Sequence, residues 1–208
     1  KPETAKALRM YEAEFEKAKE VVIAFPHIVK NRLRNVKFRR IQYQEGVSTG
    51  PKHWQIKKDD ADTESVFWGL NEYDRDHLDC IIVEGETDKM TWDQLGYKNV
   101  LSIPMGGVNP KSEDHSKKLE YVNDEFREIT ATAKRFIICT DNDEVGIATR
   151  EALANAIGKA KCYKVAYPYG YKDSNEVYMG NAAKNLDPLG GSGISEMYVS
   201  AHPYPLQG

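Results

Sequence analysis

The sequence predicts an α/β fold, a mostly parallel sheet with flanking helices, preceded by a small antiparallel, β-rich and basic lobe. Three observations carry this reading. From Cys80 onward, short apolar runs alternate with stretches of helical length, the pattern of strand–helix–strand units. Two of those runs, Ile81-Ile82-Val83 and Phe136-Ile137-Ile138-Cys139, pass directly into acidic clusters, as buried parallel strands do when they deliver ligands to a sheet's carboxyl edge. Residues 27–58 hold nine Lys or Arg (30, 32, 34, 37, 39, 40, 52, 57, 58) against one acid, Glu45. With the whole chain at −3, that segment is about +8 and the remainder about −11. A basic lobe beside an acidic one suits an enzyme that holds polyphosphate with one and a metal ion with the other, while composition alone favours a solvated basic hairpin.

Taken in order, residues 1–20 are heavily charged and spaced as a surface or linker helix. Residues 21–78 form the basic lobe, with strands expected at 21–26, 35–43 and 53–56, separated by turn residues at Asn31 and 46–51. The lobe that follows, 79–184, begins with a strand at 80–84, a helix near 87–96 stopped by Gly96, and a strand at 99–103. A charged helix over 113–132, a strand at 135–140, a helix at 145–157 ending at Gly158, a strand at 162–167 and a helix from Ser174 complete it. Residues 185–208, with Pro188 and several glycines, are expected to be a linker or helix.

Composition excludes several classes. At 40% apolar and 29% charged the chain has a globular profile, and its apolar stretches are too short for a transmembrane helix, so no membrane partner is expected. Cys80, Cys139 and Cys162 are isolated, which makes neither a zinc site nor a disulfide framework. The start at Lys1, without an initiator Met, suggests a piece of a longer protein. No phosphate-binding loop of the Gly-x-x-x-x-Gly-Lys type is present, and Ser102 lacks a hydrolase setting. The five histidines lack ligand spacing and are expected at the surface or in loops, while Trp68 and Trp92 fit a core between lobes.

The acids carry the chemistry. Glu84 ends a fully apolar strand, an expensive place for a charge without a partner. Glu86 and Asp88 follow in the first turn of a helix, where acids are ordinary. Asp141 and Asp143 are two apart, so on an extended strand both project from one face; alternatively, they cap and start the next helix. Lys172-Asp173-Ser174-Asn175-Glu176 follows the last strand, and Asp173 there is either a site residue or an N-cap in a capping box. Three acidic strand ends in one sheet favour an all-oxygen site for Mg²⁺.

In this order, Glu84-Gly85-Glu86-Thr87-Asp88, Asp141-Asn142-Asp143 and Lys172-Asp173-Ser174-Asn175-Glu176 resemble the Toprim domain of bacterial-type primases and topoisomerases. The likeness is strongest to the primase half of bacteriophage primase-helicases and of Twinkle-like organellar proteins. Asp143–Gly146 resembles the family's Asp-x-x-Gly helix start, and Ser102–Gly107 its glycine-containing loop. Asn35–Arg39 and Pro51–Trp54 resemble the basic lobe that precedes it. The tail 201–208 is similar to the point where the primase half gives way to a helicase linker.

The resemblance implies a DNA primase core that makes short RNA primers on single-stranded DNA from ribonucleoside triphosphates, with Mg²⁺ or Mn²⁺, two ions, and no zinc in this stretch. It implies catalytic roles for Glu84, Asp88, Asp141 and Asp143, and metal ligation by Glu84, Asp141, Asp143 and Asp173, with Glu84 either ligand or base. Lys37, Arg39 and Lys52, with Arg32, Arg34, Arg40 and Lys172, would hold nucleotide or template, and Trp54 or Tyr43 would stack a base or pack. A fused or associated replicative helicase and zinc-binding domain are the implied partners, in a phage-infected cell or an organelle (mitochondrion or plastid). The alternatives are a Toprim nuclease or topoisomerase component and a noncatalytic single-stranded DNA-binding module.

Overall fold

Strands β2 (Glu20–Val29) and β3 (Arg32–Arg40) form the long hairpin on which the N-terminal lobe is built. Lys30 and Asn31 turn it with φ of 49° and 60°, the left-handed pair whose twist matches a two-residue hairpin. Strand β4 (His53–Gln55) adds to β3, and β1 (Tyr11–Phe15) to the outer edge of β2, giving an antiparallel sheet in the order β1-β2-β3-β4. The computed structural model describes residues 2–7, 9–15, 20–57, 61–168, 170–183 and 192–205.

Among the described residues of 1–20, the expected helix is present only as α1 (Pro2–Ala7). Residues 11–15 alternate Tyr, Glu, Ala, Glu, Phe, a period of two, and the open edge of β2 offers backbone partners that a short isolated helix lacks.

The second sheet runs β6 (Val100–Ser102), β5 (Asp79–Val83), β7 (Arg135–Cys139), β8 (Cys162–Lys164), β9 (His202–Pro203). Its first four strands are parallel and β9 is antiparallel. Both faces are covered, which explains why β5 and β7 are apolar throughout. Cys80, Ile82, Phe136 and Ile138 face a core with Leu101, Phe126 and Leu153. Ile81, Val83, Ile137 and Cys139 face the opposite core, with Trp92, Val177, Ile194 and Met197. Helix α2 (Glu86–Gln94) carries the chain from β5 to β6 on one side, and β7 then lies on the other side of β5. The strand order therefore reverses between β5 and β7, where open α/β sheets leave a crevice at their carboxyl ends.

Helix α4 (Glu144–Ile157) follows β7 and stops at Gly158, and α5 (Ser174–Ala183) starts at Ser174. The charged helix expected over 113–132 is reduced to α3 (Asp124–Ile129). Side chains before it bond the backbone locally: Asn109 Oδ1 accepts from Lys111 N at 3.0 Å, and Asp114 Oδ1 from Ser116 N at 2.8 Å. Such bonds fix turns in competition with a helix. Residues 192–205, within the expected linker or helix of 185–208, form α6 (Ser192–Val199) and β9 and return to the sheet, while 184–191 lie outside the described residues. Tyr198 of α6 donates to Asp79, whose other oxygen accepts from Arg135 Nε at 2.8 Å. Among the described residues no helix is long and apolar enough to cross a membrane.

The lobes meet through Phe25 of β2 and Trp68, edge to face at 5.2 Å, with Met90 of α2 against them. Trp92 lies away from that contact, in the core under β5, where its Nε1 donates to Ser174 Oγ at 3.0 Å. His27 is fully buried rather than at the surface, with Nδ1 2.9 Å from Val66 O. Burial holds its imidazole down at about 4, so it stays neutral in the core.

Candidate active site

A cleft of about 310 Å³ lies between the lobes at the carboxyl edge of the parallel sheet. It is lined on one side by Lys37, Arg39, Lys52 and His53, and on the other by Glu84, Glu86, Asp88, Asp141, Lys172 and Asp173.

Alternation along β3 decides which basic residues reach it. Lys37 and Arg39 share a face with Phe25 and, across the register, with Gln55 and His53 of β4. Arg34, the unpaired residue at the β2–β3 register shift, pairs with Glu64 and with Glu125, the latter at 3.2 Å. Arg40 bonds Thr49 O, and Arg32 is exposed at the hairpin end; none of the three lines the cleft. Lys37 is 7% exposed and Glu86 3% exposed, with Lys37 Nζ 2.6 Å from Glu86 Oε1, so this pair spans the interface between the lobes.

Three carboxylates converge on the other wall. Oxygens of Asp88, Asp141 and Asp173 all lie within 4.8 Å of one another. Asp88 is delivered by the first turns of α2, is 5% exposed, and accepts from Asn175 N at 2.9 Å. Asp173 precedes α5 and accepts from Glu176 N at 2.7 Å, while Glu176 accepts from Lys172 N at 2.8 Å, so it caps the helix and also faces the cleft. Asp141 follows β7, and its neighbour Asn142 N donates to Lys172 O at 2.7 Å, which ties the β7 end to the loop before α5.

The expected ligand set of Glu84, Asp141, Asp143 and Asp173 thus differs from the cluster the structure brings together. Asp143 is the N-cap of α4, with Oδ1 accepting from Gly146 N at 2.8 Å, and its Oδ2 lies 3.2 Å from Lys172 Nζ. It is non-strand at that point, so the shared strand face expected for Asp141 and Asp143 does not form. Glu84 lies beside Asp141 and accepts from Asp141 N at 3.4 Å. Lys172 Nζ also sits 3.0 Å from Asp141 Oδ2, and the two carboxylates hold its ammonium well above the ordinary range.

Glycines bring these pieces close. A Cβ on Gly146 would stand 2.1 Å from Asp141 O, and one on Gly107 would stand 2.5 Å from Thr149 Oγ1 and 3.1 Å from Glu84 Oε1. The start of α4 and the loop after β6 can press against the strand ends only without side chains at these positions. Glu86, Gly106 and Gly107, which the sequence marks only as members of motif stretches, and His53, expected at the surface or in a loop, line the cleft or pack against its wall.

The donor set fits a hard divalent cation: three oxygens in reach of one point, one of them buried. Burial first, and then the charge of Asp173, pushes the Asp88 carboxyl up to about 7. Glu84 and Asp141 are also raised, mainly by burial. A carboxyl raised in the folded state binds more protons folded than unfolded, so this cluster lowers stability as pH climbs from about 4 to about 7. A bound cation removes that penalty. Mg²⁺ or Mn²⁺ is therefore expected to raise Tm more at pH 8 than at pH 5, and Asp88→Asn to shrink the shift at pH 8. Thermal melts over that series check this, and equal shifts at both pH values would refute a cation on the triad.

Residues 79–166 match the Toprim domain family. The chain carries a Toprim domain. The basic lobe, Lys172 and Asp173 lie outside the matched range, but they are covered by similarity to longer proteins. The chain is 31% identical over 203 positions to the Twinkle homolog protein, chloroplastic/mitochondrial, of Arabidopsis thaliana, covering 91% of this chain and 25% of that protein. It is 31% identical over 202 positions to the Primase homolog protein of the same plant, covering 90% and 52% respectively. The chain thus spans a quarter to about half the length of these relatives. The Toprim domain and basic lobe together share the fold of the primase fragment of the Bacteriophage T7 primase-helicase protein, with a TM-score of 0.63 at 17% identity over 88% of this chain and 67% of that one.

Proposed function

We propose that this chain is a DNA primase core, which joins ribonucleotides into short RNA primers on single-stranded DNA. The observation that carries the reading is the cleft itself: a cation-fitting carboxylate triad on the Toprim wall faces a basic β3–β4 wall. Similarity to the plant Twinkle and primase homologs over nine-tenths of the chain supports it.

A divalent cation, Mg²⁺ or Mn²⁺, held by Asp88, Asp141 and Asp173 would supply positive charge at the reacting phosphate. In the reaction the 3′-oxygen of one nucleotide bonds to the α-phosphorus of the next, the bond to pyrophosphate breaks, and the hydroxyl proton must leave. Glu84, raised by burial and placed beside Asp141, is the proton acceptor. Arg39 and Lys52 hold the triphosphate and then the departing pyrophosphate from the opposite wall. Asp141 and Asp143 would hold a second ion only once Lys172 Nζ, which bridges them, moved aside. Single-stranded template, a fused or associated helicase and zinc module, and a plastid or mitochondrial setting complete the proposal.

The test is the purified chain with Mg²⁺ or Mn²⁺, ribonucleotides and single-stranded templates. Labelled oligoribonucleotides are the expected product. Shortened template would mark a nuclease, and salt-sensitive binding without either product would mark a binding module.

A further inference from the structure

The basic wall contains one group to which neither the proposed reaction nor the Toprim match assigns a task. His53 lies directly across from Arg39 in the β3–β4 register, follows Lys52 in the chain, and lines the cleft with both. Lys37, on the same face of the sheet, is already bound to Glu86 at 2.6 Å. Resting on the primase reading, we propose that His53 is a polyphosphate-binding residue of this wall: as a nucleotide's triphosphate settles against Arg39 and Lys52, His53 takes a proton from solvent and donates a charge-assisted N–H bond to it.

The surroundings account for the direction of the change. The groups acting on the ring are Lys37 and Arg39 of β3, Lys52 before β4 and Glu86 of α2. Glu84, Asp88, Asp141, Asp173 and Lys172 line the far wall. Without ligand, partial burial and the charge of Lys37 hold the imidazole below its ordinary range, so it is neutral near pH 7. A polyphosphate reverses the local potential, favours the imidazolium, and gains a third donor beside Arg39 and Lys52. The wall would then carry less positive charge when empty, which limits its repulsion of neighbouring cations, and more when filled.

The experiment uses the whole chain and inorganic tripolyphosphate without metal, so neither polymerisation nor the carboxylate triad enters. Calorimetric titration in two buffers of different ionisation enthalpy near pH 7 reads proton uptake. The wild type is expected to take up a proton on binding and to lose affinity by up to about tenfold per pH unit as pH rises. The His53 ring resonance, followed by NMR, should titrate about one to three pH units higher with ligand present. His53→Gln should bind more weakly than the wild type at pH 7, lack the proton uptake and show a flatter pH profile. Arg39→Gln should bind more weakly at every pH while keeping the uptake. No binding by the wild type, no uptake, or equal uptake in His53→Gln would each overturn the proposal. Proton-linked binding by a chain that makes no primers would sink the primase reading alone.

Discussion

Asp141→Asn is expected to lower primer synthesis by on the order of 10²–10⁴-fold while single-stranded DNA binding stays close to wild type. The range follows from losing several kcal/mol of charge stabilisation in the transition state, at about 1.4 kcal/mol per decade. Asparagine keeps the volume and the backbone carbonyl that α4 packs against, so the fold has no reason to change. What disappears is one of three charges in the triad and one of two partners of Lys172, whose contact with Asp143 at 3.2 Å remains. The thermal shift produced by Mn²⁺ should fall in parallel, which separates loss of the cation from loss of some other catalytic contact. Synthesis within tenfold of wild type would move the cation away from Asp141.

The second large effect is structural. Gly146→Ala would place a Cβ 2.1 Å from Asp141 O and 2.8 Å from Asp141 Cα. Both are backbone atoms at the end of a buried strand, so neither can rotate away. Helix α4 must back off, weakening the Asp143 cap at 2.8 Å and the bond from Thr140 Oγ1 to Gly146 O at 2.7 Å. Overpacking of about 1–3 kcal/mol, with about 1 kcal/mol for the cap, gives a loss of roughly 2–4 kcal/mol. For a chain of this size that is a fall in Tm of roughly 5–15 °C, readable by circular dichroism. An unchanged Tm would show that the helix start shifts freely and that the glycine is not required there.

Much of the parallel sheet is legible in the sequence because its strands are buried on both faces. Ile81-Ile82-Val83 and Phe136–Cys139 have no polar alternation to confuse them with surface strands, and the acids that follow mark where each strand ends. The hairpin turn is legible at Asn31 for the same local reason, since few residues tolerate its φ of 60°. What the sequence hides depends on distant partners. The charged stretch before α3 has helical composition, yet Asn109 and Asp114 bond nearby amides and hold turns. Strand β1 needs the exposed edge of β2, which no window around Tyr11 contains. Asp143 and Asp141 look equivalent as letters, but Asp143 caps Gly146 N, while Asp88, embedded in α2, brings an oxygen within 4.8 Å of those of Asp141 and Asp173. Arg34 looks like a neighbour of Lys37, but its partners are Glu64 and Glu125, 30 and 91 residues away.

The contact between Lys37 and Glu86 has a consequence for how the cleft meets its ligand. An ion pair at 2.6 Å, with both side chains nearly sealed from water, ties β3 of one lobe to the start of α2 in the other. The aperture between the halves is accordingly expected to be set before anything enters, unlike that of enzymes whose lobes swing shut on a nucleotide. Capture then spends little on rearrangement and depends on how fast an anion finds the opening. Encounter rates should fall steeply with ionic strength, and the separation of the halves should be the same in the empty and the filled protein.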